Sequence, residues 1–296
     1  MKILNYYKYL FALSGIILIL GIASMAIFGF HFGVDFRGGT VTEITFNQSF
    51  DQDKLRSVLD SNGLKNYQLQ PAGNNGLIIK TEALNKEQYD KISAEIRTQV
   101  GEFQEKRCDS IGPVVGNELK RKALYQLVIV SLGIVVYIAY AFRKVSRPIT
   151  PIQFGVAAVI ALVHDLLIVM GIFSILGHFY NIEIDSLFET AMLTVLGFSV
   201  HVTNIVFDRI RENLRVYAGQ SIEFIVNHSI SQTLVRSLNT SLTVLFVLLA
   251  LLLFGGASIK YFVLALFIGI AAGTYSSIFV VSPILVLLQI WRTKKR

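Results

Sequence analysis

Ser186–Arg215 reads SLFETAMLTVLGFSVHVTNIVFDRIRENLR, and this stretch decides the fold. Within it Thr194, Gly197, His201, Asn204 and Asp208 recur at spacings of three and four, and the series continues to Arg211 and Arg215. Such spacing puts them all on one face of an α-helix. The residues between them, Val195, Leu196, Val200, Val202, Ile205, Val206 and Phe207, suit a helix surrounded by lipid. Polar side chains inside a bilayer are costly and usually face a partner helix or a water-filled path. The stretch therefore marks a membrane protein with a polar task inside the membrane, and transport is the first class it suggests.

Composition agrees. Of 296 residues, 53% are hydrophobic and only 16% charged, against roughly a quarter charged in soluble domains. Six apolar stretches, near 10–30, 124–142, 152–177, 186–207, 238–256 and 261–291, are long enough to cross a bilayer core, which takes roughly 20 helical residues each. The last is over-long, and irregularity is expected near Pro283. The division expected is a tail and first transmembrane helix over 1–30, an extracytoplasmic α+β domain over 31–122, and transmembrane helices two to six with cytoplasmic loops and tail over 123–296.

Charge is informative by location. Block 31–122 holds thirteen basic and thirteen acidic residues, so the formal +7 comes from tails and short loops. Thirteen basic residues fall on one side: Lys2, Lys8, Arg143, Lys144, Arg147, Arg209, Arg211, Arg215, Arg236, Arg292, Lys294, Lys295 and Arg296. The opposite short loops hold only Lys260. The positive-inside bias then puts both termini in the cytoplasm and 31–122 outside. No basic patch interleaved with aromatics suggests nucleic acid. The first apolar stretch has a poor cleavage site at Ser24-Met25-Ala26 and continues beyond it, as an uncleaved anchor would. Cys108 is the single cysteine, so the outer block must hold together by its core.

Within that block, Thr40–Asn47 alternates as a strand does. Ser49 with Gln52 gives an N-cap signature for a helix through Leu59. Tyr67–Gln70 and Leu77–Thr81 read as strands around an Asn74-Asn75-Gly76 turn. Asn85 with Gln88 opens a second helix, and Phe103–Asp109 is the last strand. The order βαββαβ predicts a ferredoxin-like domain. Its acids are spread as on a solvated surface, so binding or lever action is expected of it rather than chemistry.

Six motifs stand out. In Gly33–Gly39 (GVDFRGG) the paired Gly38 and Gly39 permit positive φ and close backbone approach, and Asp35 can cap or pair with Arg37; a structural junction is the plain reading. Asp109–Gly116 (DSIGPVVG) has the same flavour and is no phosphate loop, because no Lys-Ser/Thr follows its last glycine. His164-Asp165 sits mid-segment, where an ionised Asp costs roughly 3 kcal/mol or more. Asp165 is either a proton-titrating carboxyl or a protonated one bonded to a neighbouring helix. His164, Asp165 and His201 are too few and too scattered for a metal site, and no cofactor is expected. Asp208, Arg209 and Arg211 form a charged turn at the membrane surface. A second polar stripe, Gln232, Arg236, Asn239 and Thr243, argues for a polar seam shared between the fourth and fifth segments. Gly269, Gly273 and Ser277, four apart, suit close helix packing.

These motifs, in this order, closely resemble the SecF family: GVDFRGG, GPVVGNEL (Gly112–Leu119), LVHDL (Leu162–Leu166), FDRIRENL (Phe207–Leu214), SQTLVRSLNTS (Ser231–Ser241) and GTYSSIFVVSP (Gly273–Pro283). The resemblance covers nearly the whole chain. It implies half of a resistance–nodulation–division architecture, six transmembrane helices with one extracytoplasmic ferredoxin-like domain. It also implies SecD as partner at the SecYEG channel, assisting export of preproteins across the inner membrane on the proton gradient after SecA's ATP-driven step. The family usually reads Gly-Tyr-Ser-x-Asn-Asp-Thr before FDRIREN, with that Asp as its intramembrane titratable group. Here the stretch is Gly197-Phe198-Ser199-Val200-His201-Val202-Thr203, so the acid position holds Val202, whereas the family's arginine matches Arg236. Candidates for a proton relay or polar seam are thus Arg236, Asp165, His201 and Asn204. The competing expectation is a passive assembly subunit that has lost coupling at Val202; an enzyme is a distant third.

Overall fold

The computed structural model describes residues 7–64, 66–143 and 149–294. Lys2, Lys144, Arg147, Lys295 and Arg296 of the charge bias lie outside the described residues. In chain order the elements are α1 (Tyr7–Phe28), α2 (Val34–Arg37), β1 (Gly39–Phe46), α3 (Gln52–Ser61), β2 (Gln68–Pro71), β3 (Gly76–Thr81), α4 (Lys86–Gln99) and β4 (Phe103–Ile111). Then follow α5 (Pro113–Ala141), α6 (Pro151–Tyr180), α7 (Ser186–Val216), α8 (Ile222–Phe254), a 3₁₀ turn, α9 (Lys260–Phe279) and α10 (Val281–Lys294).

Among the described residues six spans are long and apolar enough to cross a membrane: α1, α5, α6, α7, α8 and the α9–α10 pair. The sixth breaks at Val280. Pro283 has no N–H to return to the carbonyl of Phe279, so the ladder cannot run through that point. The spans also outrun their apolar cores. Helix α5 starts at Pro113 rather than near 124, and α8 starts at Ile222 rather than near 238. At the end far from the sheet, α7 and α8 continue as a helical hairpin turned at Gly219, with φ +99°. Polar bonds hold it: Asn213 Nδ2 donates to Ser229 Oγ at 2.8 Å and to Gln232 Oε1 at 2.9 Å.

The α+β unit has one antiparallel sheet in the order β2-β3-β1-β4, the ferredoxin-like arrangement. Alternation in β1 buries Thr40, Thr42, Ile44 and Phe46 on one face. Leu55, Val58 and Leu59 of α3 and Ile92 and Ile96 of α4 complete that core. Asn85 and Gln88 form the expected reciprocal capping box. The cap of α3 is Asp51, not Ser49: its carboxylate accepts from Asp53 N at 2.9 Å and Lys54 N at 3.4 Å. An anionic acceptor beside the first-turn N–H groups satisfies them and suits the helix dipole.

The two glycine motifs meet. Gly38 (φ +83°) and Gly39 (φ +152°) turn the chain from α2 into β1. A Cβ on Gly38 would lie 2.7 Å from Pro113 Cα, and one on Gly116 would lie 2.8 Å from Gly38 N. Asp35 does not pair with Arg37, which is exposed and makes no ion pair among the described residues. Its carboxylate instead accepts from Ser186 N at 2.9 Å and from Ser186 Oγ at the start of α7, where free N–H groups attract an anion. Lys80 of β3 bridges to Glu183 at 2.6 Å, so α2 is tied to the start of α7 and the sheet to the loop before it.

Candidate functional site

The helices divide into an inner and an outer set. More than half of the apolar windows of α6, α7 and α9–α10 are buried, against less than a fifth for α1, α5 and α8. Close approach of the inner set depends on α9. A Cβ on Gly269 would stand 2.2 Å from Val195 Cγ2, and one on Gly273 would stand 3.2 Å from Ser199 Cβ. The small residues that the sequence marked for packing therefore set α9 against α7.

Helix α7 carries two polar faces. The inward one holds Ser199, Thr203 and Asn213, all buried. Ser199 Oγ donates to Asp165 Oδ2 at 2.6 Å, and Thr203 Oγ1 meets Ser277 Oγ at 2.8 Å. Asp165 itself is fully buried. Its Oδ2 also accepts from Ser276 Oγ at 2.9 Å, and its Oδ1 lies 3.0 Å from Nδ1 of the buried His164. Tyr275 stacks on the His164 ring with centroids 6.4 Å apart, and its hydroxyl donates to Leu10 O at 2.9 Å. A mid-membrane carboxyl thus has partners on α6, α7 and α9. The sequence located Asp165 but missed Ser199 and Ser276. The only signal was that both lie in the polar, small-residue stretches GFSVH and GTYSS.

The outward face of α7 carries the polar stripe spaced three and four residues apart. Thr194, Gly197, His201, Asp208 and Arg215 are exposed, and Asn204 is half-buried with its Oδ1 lacking a hydrogen-bond partner among the described residues. The second stripe, Gln232, Arg236, Asn239 and Thr243 on α8, is exposed as well. The two stripes do not close on each other as a seam within the chain. The face of α8 buried here carries Ser229, Thr233, Ser237 and Ser241, which turns the longer polar side chains outward. Between the helices opens a cleft of about 620 Å³ lined by Asp208, Arg209, Arg211, Glu212, Arg215 and Arg236. In it Arg211 pairs with Asp208 at 2.8 Å and Arg209 with Glu212 at 2.5 Å. The Arg236 guanidinium makes no ion pair among the described residues.

Val202 is fully buried, and no side chain there can carry a proton. His201 and Arg236 lie on the outward surface while Asp165 lies in the core, so the expected relay candidates form two groups rather than one. Among the described residues no group of three or more His, Cys, Asp or Glu is placed to hold a metal ion. Beyond the membrane helices, burial lifts Asp185 above the usual carboxylate range. Asp35 and Glu183 push the same way, against the Phe188 N–H and Lys80, which favour the charged form.

Six apolar spans, a polar core at mid-span and a ferredoxin-like unit on the loop after the first helix define a polytopic membrane protein of the transport class. The comparisons give the family. Residues 91–291 match the family "Protein export membrane protein SecD/SecF, C-terminal", and residues 23–49 match the SecD/SecF GG motif. The chain is 45% identical to a protein translocase subunit SecF of Thermobaculum terrenum, over 95% of this chain and 92% of that one. It is 38% identical to the SecF subunit of Anaerolinea thermophila, with the same coverage. The crystal structure of SecDF from Thermus thermophilus superposes with a TM-score of 0.81 at 32% identity, over 99% of this chain and 38% of that longer one. This chain belongs to the SecF family of protein translocase subunits.

Proposed function

We propose that this chain pairs with SecD through the outward polar surface of α7 and α8. The pair assists export of preproteins across the bacterial inner membrane on the proton motive force, at the SecYEG channel after SecA's ATP-dependent step. The observation that carries the reading is His201 and Asp208 exposed on a membrane-spanning helix. A polar surface at that depth is unfavourable against lipid and needs a partner or water. The Thermus protein of similar fold is SecDF, a translocon-associated membrane protein. Arg236, with Asn204 and His201, lines the surface offered to SecD; Asp208, Arg209 and Arg211 hold its membrane-edge end. Membrane vesicles with SecD present test this: an arrested preprotein should complete export faster with a proton gradient only when this chain is present. Equal rates with and without it would refute the reading.

The orientation proposed places both termini in the cytoplasm, residues 31–122 outside, and the transmembrane parts of helices two to six within 123–296. It is supported by the location of the basic residues. Cys108 is exposed, so a membrane-impermeant thiol reagent should label it only from outside. A second reading, a passive assembly subunit of the same complex with proton coupling lost at Val202, is favoured by one observation, the buried valine at that position. Under that reading Val202→Asp raises gradient-driven export; under the first it does not.

A further inference from the structure

The polar core around Asp165 is the feature that the outward surface leaves unexplained. Three side chains converge on one carboxyl inside the bundle: Ser199 Oγ at 2.6 Å and Ser276 Oγ at 2.9 Å on Oδ2, and His164 Nδ1 at 3.0 Å on Oδ1. Ser276 has a second acceptor within reach, the Gly273 carbonyl at 3.2 Å. His164 is buried, and its Nε2 has no hydrogen-bond partner among the described residues. The ionisable groups next to Asp165 are His164 on α6 and, through the ring stack, Tyr275 on α9. The α7 contact is the hydroxyl of Ser199.

From this geometry we infer that Asp165, not the family's position at Val202, is the proton-carrying group of this chain, and that Ser276 is the hydroxyl that lets it change charge without moving a helix. The inference rests on the reading of the chain as a gradient-driven subunit. As a carboxylate, Asp165 accepts from all three neighbours. When a proton from water adds at Oδ2, the new O–H donates to Ser276 Oγ. The hydroxyl hydrogen of Ser276 leaves Oδ2 and turns to the Gly273 carbonyl. One O–H forms on the carboxyl, one hydrogen bond changes acceptor, and no buried donor is left unpaired. Loss of the proton reverses each move. His164 gives the same proton a second seat: with Nδ1–H held by the carboxylate, Nε2 is a free acceptor, and a proton taken there leaves an imidazolium beside Asp165. Gly273 keeps the site open, since a Cβ there would come within 3.3 Å of Asp165 Oδ2.

The test is an infrared titration of the full chain bound to SecD in phospholipid vesicles, from about pH 5 to about pH 8, with isotope-labelled aspartate. A protonated-carboxyl band that grows as pH falls is expected, and it should be missing in Asp165→Asn. Ser276→Ala keeps the acid, and should keep the band while moving its midpoint by about one pH unit. It covers the case in which Asp165→Asn does not fold. Gradient-driven export should fall in Asp165→Asn to the level measured with the gradient collapsed. A wild-type spectrum without a pH-dependent aspartate band, the same band persisting in Asp165→Asn, or a Ser276→Ala midpoint equal to wild type overturns the inference. Normal gradient-driven export by Asp165→Asn also overturns it while leaving the proposed function intact. A titrating band in a complex that never uses the gradient supports the carboxyl assignment and refutes the proposed function instead.

Discussion

The two polar faces of α7 run the same length of the same helix and have opposite fates. On the inward face every named polar group finds its partner inside the chain: Ser199 on Asp165, Thr203 on Ser277, Asn213 on Ser229. On the outward face His201 is exposed and the side-chain carbonyl of Asn204 has no partner among the described residues. The first pattern is that of a finished core. The second is that of half an interface. Polar residues in a membrane helix therefore carry two messages, and only their burial and bonding tell which is which.

The comparison can be broken most violently from the inward side. Gly269→Leu should prevent a stable fold, because even a Cβ at that position would sit 2.2 Å from Val195 Cγ2 and 3.1 Å from its Cβ. Overpacking of this kind costs about 1–3 kcal/mol or more, and the readout is loss of the monodisperse protein in detergent. A normal elution profile would mean that α9 and α7 are not in contact there. Next in size is Asn213→Ala. It leaves the buried Ser229 hydroxyl without its donor, while Gln232 Oε1 keeps the bond from Arg209 Nε, and it should lower stability by about 1–3 kcal/mol in detergent unfolding. On the outward side, His201→Leu should leave the stability of the chain alone within about 0.5 kcal/mol, while weakening capture of SecD about tenfold, a cost of about 1.4 kcal/mol. A destabilised chain with normal SecD binding would reverse the assignment of the faces.

The smallest effect concerns the loop where the sheet meets α7. The carboxyl of Asp185 is raised in the folded chain. The folded state therefore binds its proton more tightly than the unfolded state, and stability falls as pH rises from the ordinary carboxylate range through the raised value. Thermal unfolding should be higher near pH 5 than near pH 7.5, by about two degrees or less. Asp185→Asn keeps the cap on Phe188 N and should flatten that difference. A slope unchanged by the substitution would assign the pH dependence to other groups.

Much of this architecture was legible because its causes are local. Apolar length set the six spans, alternation set β1, and the Asn85/Gln88 spacing set the start of α4. The cap of α3 is Asp51 and not the expected Ser49 because both residue types cap well and a spacing rule alone does not choose between positions two residues apart. The reach of α8 back to Ile222 was missed because its polar first turns look like a loop until Asn213 and Tyr217 are placed against them. For the site, periodicity gave a polar face on α7 but not its neighbour. Asp165 was visible as a costly acid at mid-span. Its partners Ser199 and Ser276 lie 34 and 111 residues away, and no spacing rule connects residues across separate helices.

Cysteine cross-linking along α7 tests the central claim most directly. With Cys108 replaced by serine, single cysteines at Thr194, His201 and Asp208 on the outward face and at Val195, Val202 and Val206 on the inward face are paired with cysteines on SecD in native membranes. Cross-links to SecD from the first three positions and none from the last three are the predicted result. Cross-links from Val195, Val202 or Val206, or a silent outward face in a complex that still exports, would contradict it.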